Sequence, residues 1–221
     1  MSGSPSTASQ RERLVTSSSC SAEYHTVQAA LPAHARPDFH AMAVAELSEQ
    51  VALRLNVSLQ VLRTVVLGAL VHDVGKRQID HRILSKPGPL DDLEWRRIRC
   101  HPSEGERLLI GVLAVEVLAV VRSHHERWDG SGYPDALAGN EIPLGARIVA
   151  VADAHCAMLE HRPYRTALTA SEAMHELERS AGTQFDPTCV RALLDVVAAG
   201  DPLCERVPQP AKRGSPVGPR E

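Results

Sequence analysis

Apolar side chains recur three or four residues apart along most of this chain, which is the spacing of one helix face. Behind His40, Val44, Leu47, Val51 and Leu55 form such a stripe, and a second begins near Ser58 with Leu59, Leu62, Val66 and Ala69. Gly75 reads as the stop of that second helix. In "LDDLEWRRI" Asp91 is an N-cap with Glu94 three residues on, and its helix is expected to run towards Leu109. Residues 112–124 are almost wholly apolar and predict a buried helix, and a further helix is expected over about 144–160. "TASEAMHELER" opens with the capping pair Thr169 and Glu172. Asp186 and Pro187 then start a last helix that reaches about Ala199. No stretch alternates convincingly as a strand, although 133–143 admits a short hairpin, so the expected fold class is all-α.

Residues 1–35 and 201–221 hold little apolar surface to offset ordering entropy and read as tails, disordered or, at the N-terminus, weakly helical. One domain is expected between them, over 36–200. Lys and Arg number 24 against 27 Asp and Glu, a net charge of −3, which gives no electrostatic case for a nucleic-acid polymer or a lipid surface. Five cysteines lie scattered without CxxC spacing and read as free thiols. No signal peptide or membrane segment is legible, and a cytoplasmic location is expected.

The unusual residues sit at predicted helix ends. "LVHDVGK" carries His72, Asp73 and Lys76, "CHPSEG" carries His101, "SHHE" carries His124 and His125, and "VADAH" carries Asp153. His40 lies one turn before Val44 on the apolar stripe and should point inward. A lone histidine on such a face is more often a hydrogen-bonded core residue than a ligand. Five imidazoles and two carboxylates converging on one core are different, because unpaired polar groups there cost about a few kcal/mol each. A metal centre removes that cost. Imidazole and carboxylate donors without thiolate suit iron, manganese or a similar first-row ion better than structural zinc. Adjacent candidates such as His72–Asp73 and His124–His125 diverge around the helix axis, and seven ligands are too many for one ion with an open position, so two ions fit better. Two close metals generate hydroxide near neutral pH and hold an in-line displacement at phosphorus. Lys76 beside them is placed to neutralise a phosphate oxygen. Arg162 and Arg165 in "HRPYR" either grip a second phosphate or base or form a solvated basic turn.

"HDVGK" followed by "HHERWDGSGYP" resembles the HD-GYP family of metal-dependent phosphohydrolases. The likeness extends over roughly 36–200 through "ILSKPGPL", "HPSEG", "IPLGARIVAVAD", "RPYR" and "FDP". It implies an HD-domain helical bundle with a small loop or hairpin around the GYP motif. It also implies a binuclear iron or manganese site hydrolysing cyclic di-GMP to pGpG, and on to GMP. His40, His72, Asp73, His101, His124, His125 and Asp153 fall on the family's metal positions, with Asp73 as the bridging carboxylate. Lys76, Arg162 and Arg165 match its substrate-contacting positions. Gly132, Tyr133 and Pro134 are the namesake tripeptide, a loop linked in the family to partner proteins including diguanylate cyclases. Three positions depart from the pattern: Ala43 stands in place of an arginine, Arg36 in place of the glutamate of three-metal members, and Cys156 in place of an aspartate. Two metals are therefore expected. The other readings are a catalytically weak receptor or interaction module, or a hydrolase of another cyclic dinucleotide such as cyclic GMP–AMP. Regulation is expected through the Gly132–Tyr133–Pro134 loop or by homodimer formation.

Overall fold

The computed structural model describes residues 38–160 and 166–200. Its helices are α1 (Phe39–Arg54), α2 (Leu59–Val71), α3 (His81–Leu84), α4 (Asp92–Arg99), α5 (His101–Leu109), α6 (Val115–Ser123), α7 (Leu144–Leu159), α8 (Ala170–Ser180) and α9 (Pro187–Ala198), with short 3-10 turns at Val74–Gln78 and Gly139–Glu141. The described residues contain no sheet, so the architecture is all-α. α1 packs against α2, α7 and α9, while α2 also meets α6 and α7. The expected apolar stripes are buried except at their edges, where Leu55 is half-buried and Leu59 faces solvent. Val44, Leu47 and Val51 of α1 face Leu62, Val65 and Ala69 of α2, Val120 and Val121 of α6, and Ile148 and Val151 of α7 in one core. Burying each valine, leucine or isoleucine among them contributes about 1.5–3 kcal/mol.

The local start signals operate as read. Asp91 Oδ1 accepts from Glu94 N at 2.9 Å while Glu94 Oε2 accepts from Asp91 N at 2.8 Å. Thr169 and Glu172 form the same reciprocal cap on α8, and Asp186 Oδ1 accepts from Thr188 N at 2.7 Å at the head of α9. Asp38 caps α1 through Ala41 N. α3 is a single turn, too short for periodicity to reveal.

Four expectations change. The helix from Asp91 does not reach Leu109 unbroken but divides at Cys100 into α4 and α5. Pro102 has no N–H with which to continue the ladder onto the Ile98 carbonyl, and His101 Nδ1 takes that carbonyl instead at 2.7 Å. Gly75 does not stop α2, which ends at Val71; it lies in the following 3-10 turn. The apolar run at 112–124 is helical only from Val115, and Val112 and Val115 face solvent while Val117, Leu118, Val120 and Val121 are buried. In the turn-rich stretch, one antiparallel bridge joins Asp129 to Ala138, so the closure falls a few residues before 133–143. No described helix is long and apolar enough to cross a membrane, and Cys100, Cys156 and Cys189 are free thiols.

Candidate metal centre

The ends of α1, α2, α5 and α6 and the middle of α7 meet at one place. His72 is the C-cap of α2, His101 the first residue of α5, and His124 the C-cap of α6. All three rings are buried, and each Nδ1 lies 2.7 Å from the carbonyl three residues earlier: Ala69, Ile98 and Val121. Carbonyls of the last helical turn have no partner within the helix, so these rings serve as their donors. A neutral imidazole whose Nδ1 donates must present a bare lone pair at Nε2.

Those lone pairs converge. His101 Nε2 and His124 Nε2 are 3.2 Å apart, and neither carries a proton to share in this tautomer. Asp73 Oδ1 lies 3.3 Å from His101 Nε2 and 3.9 Å from His124 Nε2, while its Oδ2 lies 3.4 Å from His72 Nε2. His72 Nε2 and Asp73 Oδ1 are buried without a hydrogen-bond partner. Uncompensated, that arrangement is unfavourable; a cation resolves it, so the donor set fits a metal. Two groups have ligand atoms close enough for an ion: Asp73, His101, His124 and His125, and His40, His72 and Asp73. Asp73 belongs to both. Asp153 adjoins the second group, its Oδ1 2.9 Å from His40 Nε2 and 3.9 Å from His72 Nε2.

The electrostatics favour ligand-ready forms over most of the cluster. Burial and the neighbouring imidazoles hold His124 well below its ordinary range, and burial with the charge of His101 brings His125 down to about 3. Burial works against the Asp73 carboxylate, yet His72, Lys76 and His101 outweigh it and hold its pKa well below the usual value. Lys76 Nζ donates to Asp73 Oδ2. His40 and His72 are the exceptions. Burial disfavours the charged form of each, but Asp73 and Asp153 raise His72, and the carboxylates of Asp153 and Glu160 push His40 up to about 10.

The GYP loop abuts the centre. The Tyr133 ring stacks on His125 at 4.9 Å, and Arg99 Cζ lies over the Tyr133 ring at 4.8 Å from its centre. A Cβ on Gly132 would fall 2.3 Å from Arg127 N and 2.6 Å from Glu126 Cα, so only glycine allows this approach. Buried Glu126 accepts from Asp135 N at 2.6 Å and Leu137 N at 3.1 Å, and Tyr133 N donates to the His125 carbonyl. The Tyr133–Pro134 peptide is cis. Gly132, Tyr133 and Pro134 are all half-buried.

All seven expected metal residues and Lys76 therefore lie together, whereas Arg162, Arg165 and Arg36 fall outside the described residues. Of the departures, Ala43 and Cys156 are buried. Sequence reasoning missed Glu160, Arg99 and the anchoring role of Glu126. Glu126 was visible in "SHHE", whereas Glu160 meets His40 across 120 residues, with no local signal.

A helical bundle whose helix ends present a histidine–aspartate cluster of this kind defines an HD domain, and the chain belongs to the HD domain family, which it matches over residues 8–189. It is 44% identical over 158 residues to the cyclic di-GMP phosphodiesterase response regulator RpfG of Xanthomonas campestris pv. campestris, covering 70% of this chain and 42% of that protein. It is 37% identical over 155 residues to 3'3'-cGAMP-specific phosphodiesterase 3 of Vibrio cholerae, covering 70% of this chain and 34% of the relative. The chain thus spans less than half the length of these curated relatives. The fold is similar to that of Bd1817, an HDG"Y"P protein from Bdellovibrio bacteriovorus, with a TM-score of 0.61 and 20% identity over 72% of this chain and 51% of that one.

Proposed function

We propose that this chain is a cytoplasmic, metal-dependent phosphodiesterase that hydrolyses cyclic di-GMP to pGpG or GMP. The observation that carries the reading is the sharing of Asp73 between two groups of ligand atoms. His101, His124 and His125 would hold one divalent ion with Asp73, and His40, His72 and Asp153 the other. With no thiolate in either group, iron or manganese suits the donors. Bound there, two such ions supply a hydroxide nucleophile near neutral pH and offset charge on the scissile phosphate. The chain's own part is placement. The helix-end carbonyls fix three rings so that each Nε2 faces inward. Lys76 brings a point charge beside Asp73, where a non-bridging phosphate oxygen would lie. Arg162 and Arg165 are assigned to the second phosphate or a base. Contacts with a diguanylate cyclase or another protein would use the solvent side of the Gly132–Tyr133–Pro134 loop, since the Tyr133 ring faces His125.

The relative named for cyclic di-GMP supports the substrate class, and the relative named for 3'3'-cGAMP supports a second reading with the same chemistry and a different base. The test is incubation of the protein with each dinucleotide, alone and in competition, under Mn(II) or anaerobic Fe(II), with products resolved by chromatography. Formation of pGpG or GMP is expected, with cyclic di-GMP consumed first. Faster loss of the cyclic GMP–AMP competitor selects the second reading. Binding without cleavage under either metal assigns a receptor instead.

A further inference from the structure

Three ligand histidines are oriented by backbone carbonyls of the turn behind them, but His40 has no such turn. It is the second residue of α1, immediately after the Asp38 cap and Phe39. Its Nδ1 lies instead 2.8 Å from Glu160 Oε1. Glu160 is the C-cap of α7, seven residues beyond Asp153, so the two carboxylates stand two turns apart on one side of that helix. Each engages a different nitrogen of the His40 ring, Asp153 at Nε2 and Glu160 at Nδ1. Both are largely buried, with side chains 20% exposed.

We propose that Glu160 is a positioning residue for the metal centre: by accepting the Nδ1 proton of His40 it fixes the ring's tautomer and direction, leaving Nε2 as the ligand atom. It does for α1 what the Ala69, Ile98 and Val121 carbonyls do for the other helices. A carboxylate behind a ligand imidazole also raises its donor strength, and losing such a partner weakens metal binding by about 10–100-fold. The effect falls on one ion only, because His40 belongs to the group with His72 and Asp73 and not to the one with His124 and His125. The inference rests on the two-ion reading proposed above.

The test titrates Mn(II) alone into metal-free protein and reads the free ion by electron paramagnetic resonance. Wild type is expected to bind two equivalents. Glu160→Ala should weaken one by about 10–100-fold and leave the other unchanged, while Glu160→Gln, which keeps an acceptor oxygen, should stay within a few-fold of wild type. In a His40→Ala background, Glu160→Ala should cost nothing more. Should the alanine variant not fold, Glu160→Met, similar in size and lacking the acceptor, takes its place. Wild-type binding of both ions by the variant lacking the acceptor overturns the inference. So does equal weakening by glutamine, or a further loss without His40. A wild type that binds a single equivalent overturns the two-ion reading itself, an outcome distinct from these.

Discussion

Replacing Gly75 by alanine places a methyl group where the backbone of α5 already lies. A Cβ there would stand 1.9 Å from the His101 carbonyl oxygen and 2.6 Å from Gly105 N. Ordinary contact begins near 3.4 Å, so the 3-10 turn and α5 must separate by roughly 1.5 Å (3.4 − 1.9) along that line. Both neighbours are backbone, and neither moves by changing a rotamer. Gly75 does not occupy the left-handed region, so the cost is steric overpacking, about 1–3 kcal/mol. For a chain of this size that lowers Tm by about 2–12 °C. The same displacement acts on the metal centre, because Asp73 begins the turn and His101 begins the helix, with Asp73 Oδ1 3.3 Å from His101 Nε2. Gly75→Ala should therefore lose metal affinity along with stability. Gly88→Ala is the control, since a Cβ there meets nothing within 4 Å. The assay pairs thermal melting of the metal-free proteins with Mn(II) titration. If Gly75→Ala melts and binds as Gly88→Ala does, the turn does not hold the ligands together as argued.

Asp73→Ala removes the carboxylate common to both groups; bound metal should fall sharply and turnover vanish, and unchanged metal content by elemental analysis would refute its bridging place. Lys76→Ala should keep its metal while turnover drops by about 10²–10³-fold, as for a lost charge-stabilising donor; full kcat in the variant rejects the phosphate contact. His155 is buried with Nδ1 unpartnered, and burial lowers its pKa from 6.5 to about 4. Between those values the unfolded chain holds a proton that the folded one does not, so stability is full above 6.5 and falls as pH drops. Going from pH 6.5 to 5 should remove up to about 2 kcal/mol through this group. Urea unfolding at the two pH values should show a smaller loss for His155→Leu, and equal losses would contradict it.

Local physics was legible in this sequence and long-range packing was not. The caps at Asp91, Thr169 and Asp186 are written within a few residues, and each operates as read. The division at Cys100 was also written, in Pro102, but the apolar pattern runs through it and masks the break. Gly75 was noticed for the wrong reason: a glycine after an apolar stripe resembles a helix stop, whereas its contact with the His101 carbonyl depends on how α5 folds back. The members of the histidine–aspartate cluster were legible because they fall in recognisable short motifs. Glu160 belongs to no such motif. Only the approach of α7 to the head of α1 joins it to His40.

The contiguity of "HHERWDGSGYP" has a physical basis in these contacts. His125 is a candidate ligand and the platform for the Tyr133 ring, and its carbonyl receives the Tyr133 N–H. Glu126, the next residue, cannot face the histidine–aspartate cluster as well. It turns to the loop and binds the backbone at Asp135 and Leu137. Gly132 is then forced against Arg127 and Glu126, closing the loop on the backbone that follows His124 and His125. His125 and the loop are thus one hydrogen-bonded unit. Lifting Tyr133 away exposes His125, while displacing His125 removes the surface on which Tyr133 rests. A protein bound at the loop and an ion bound at the centre would therefore act on the same ring pair, and coupling between them would require no longer path.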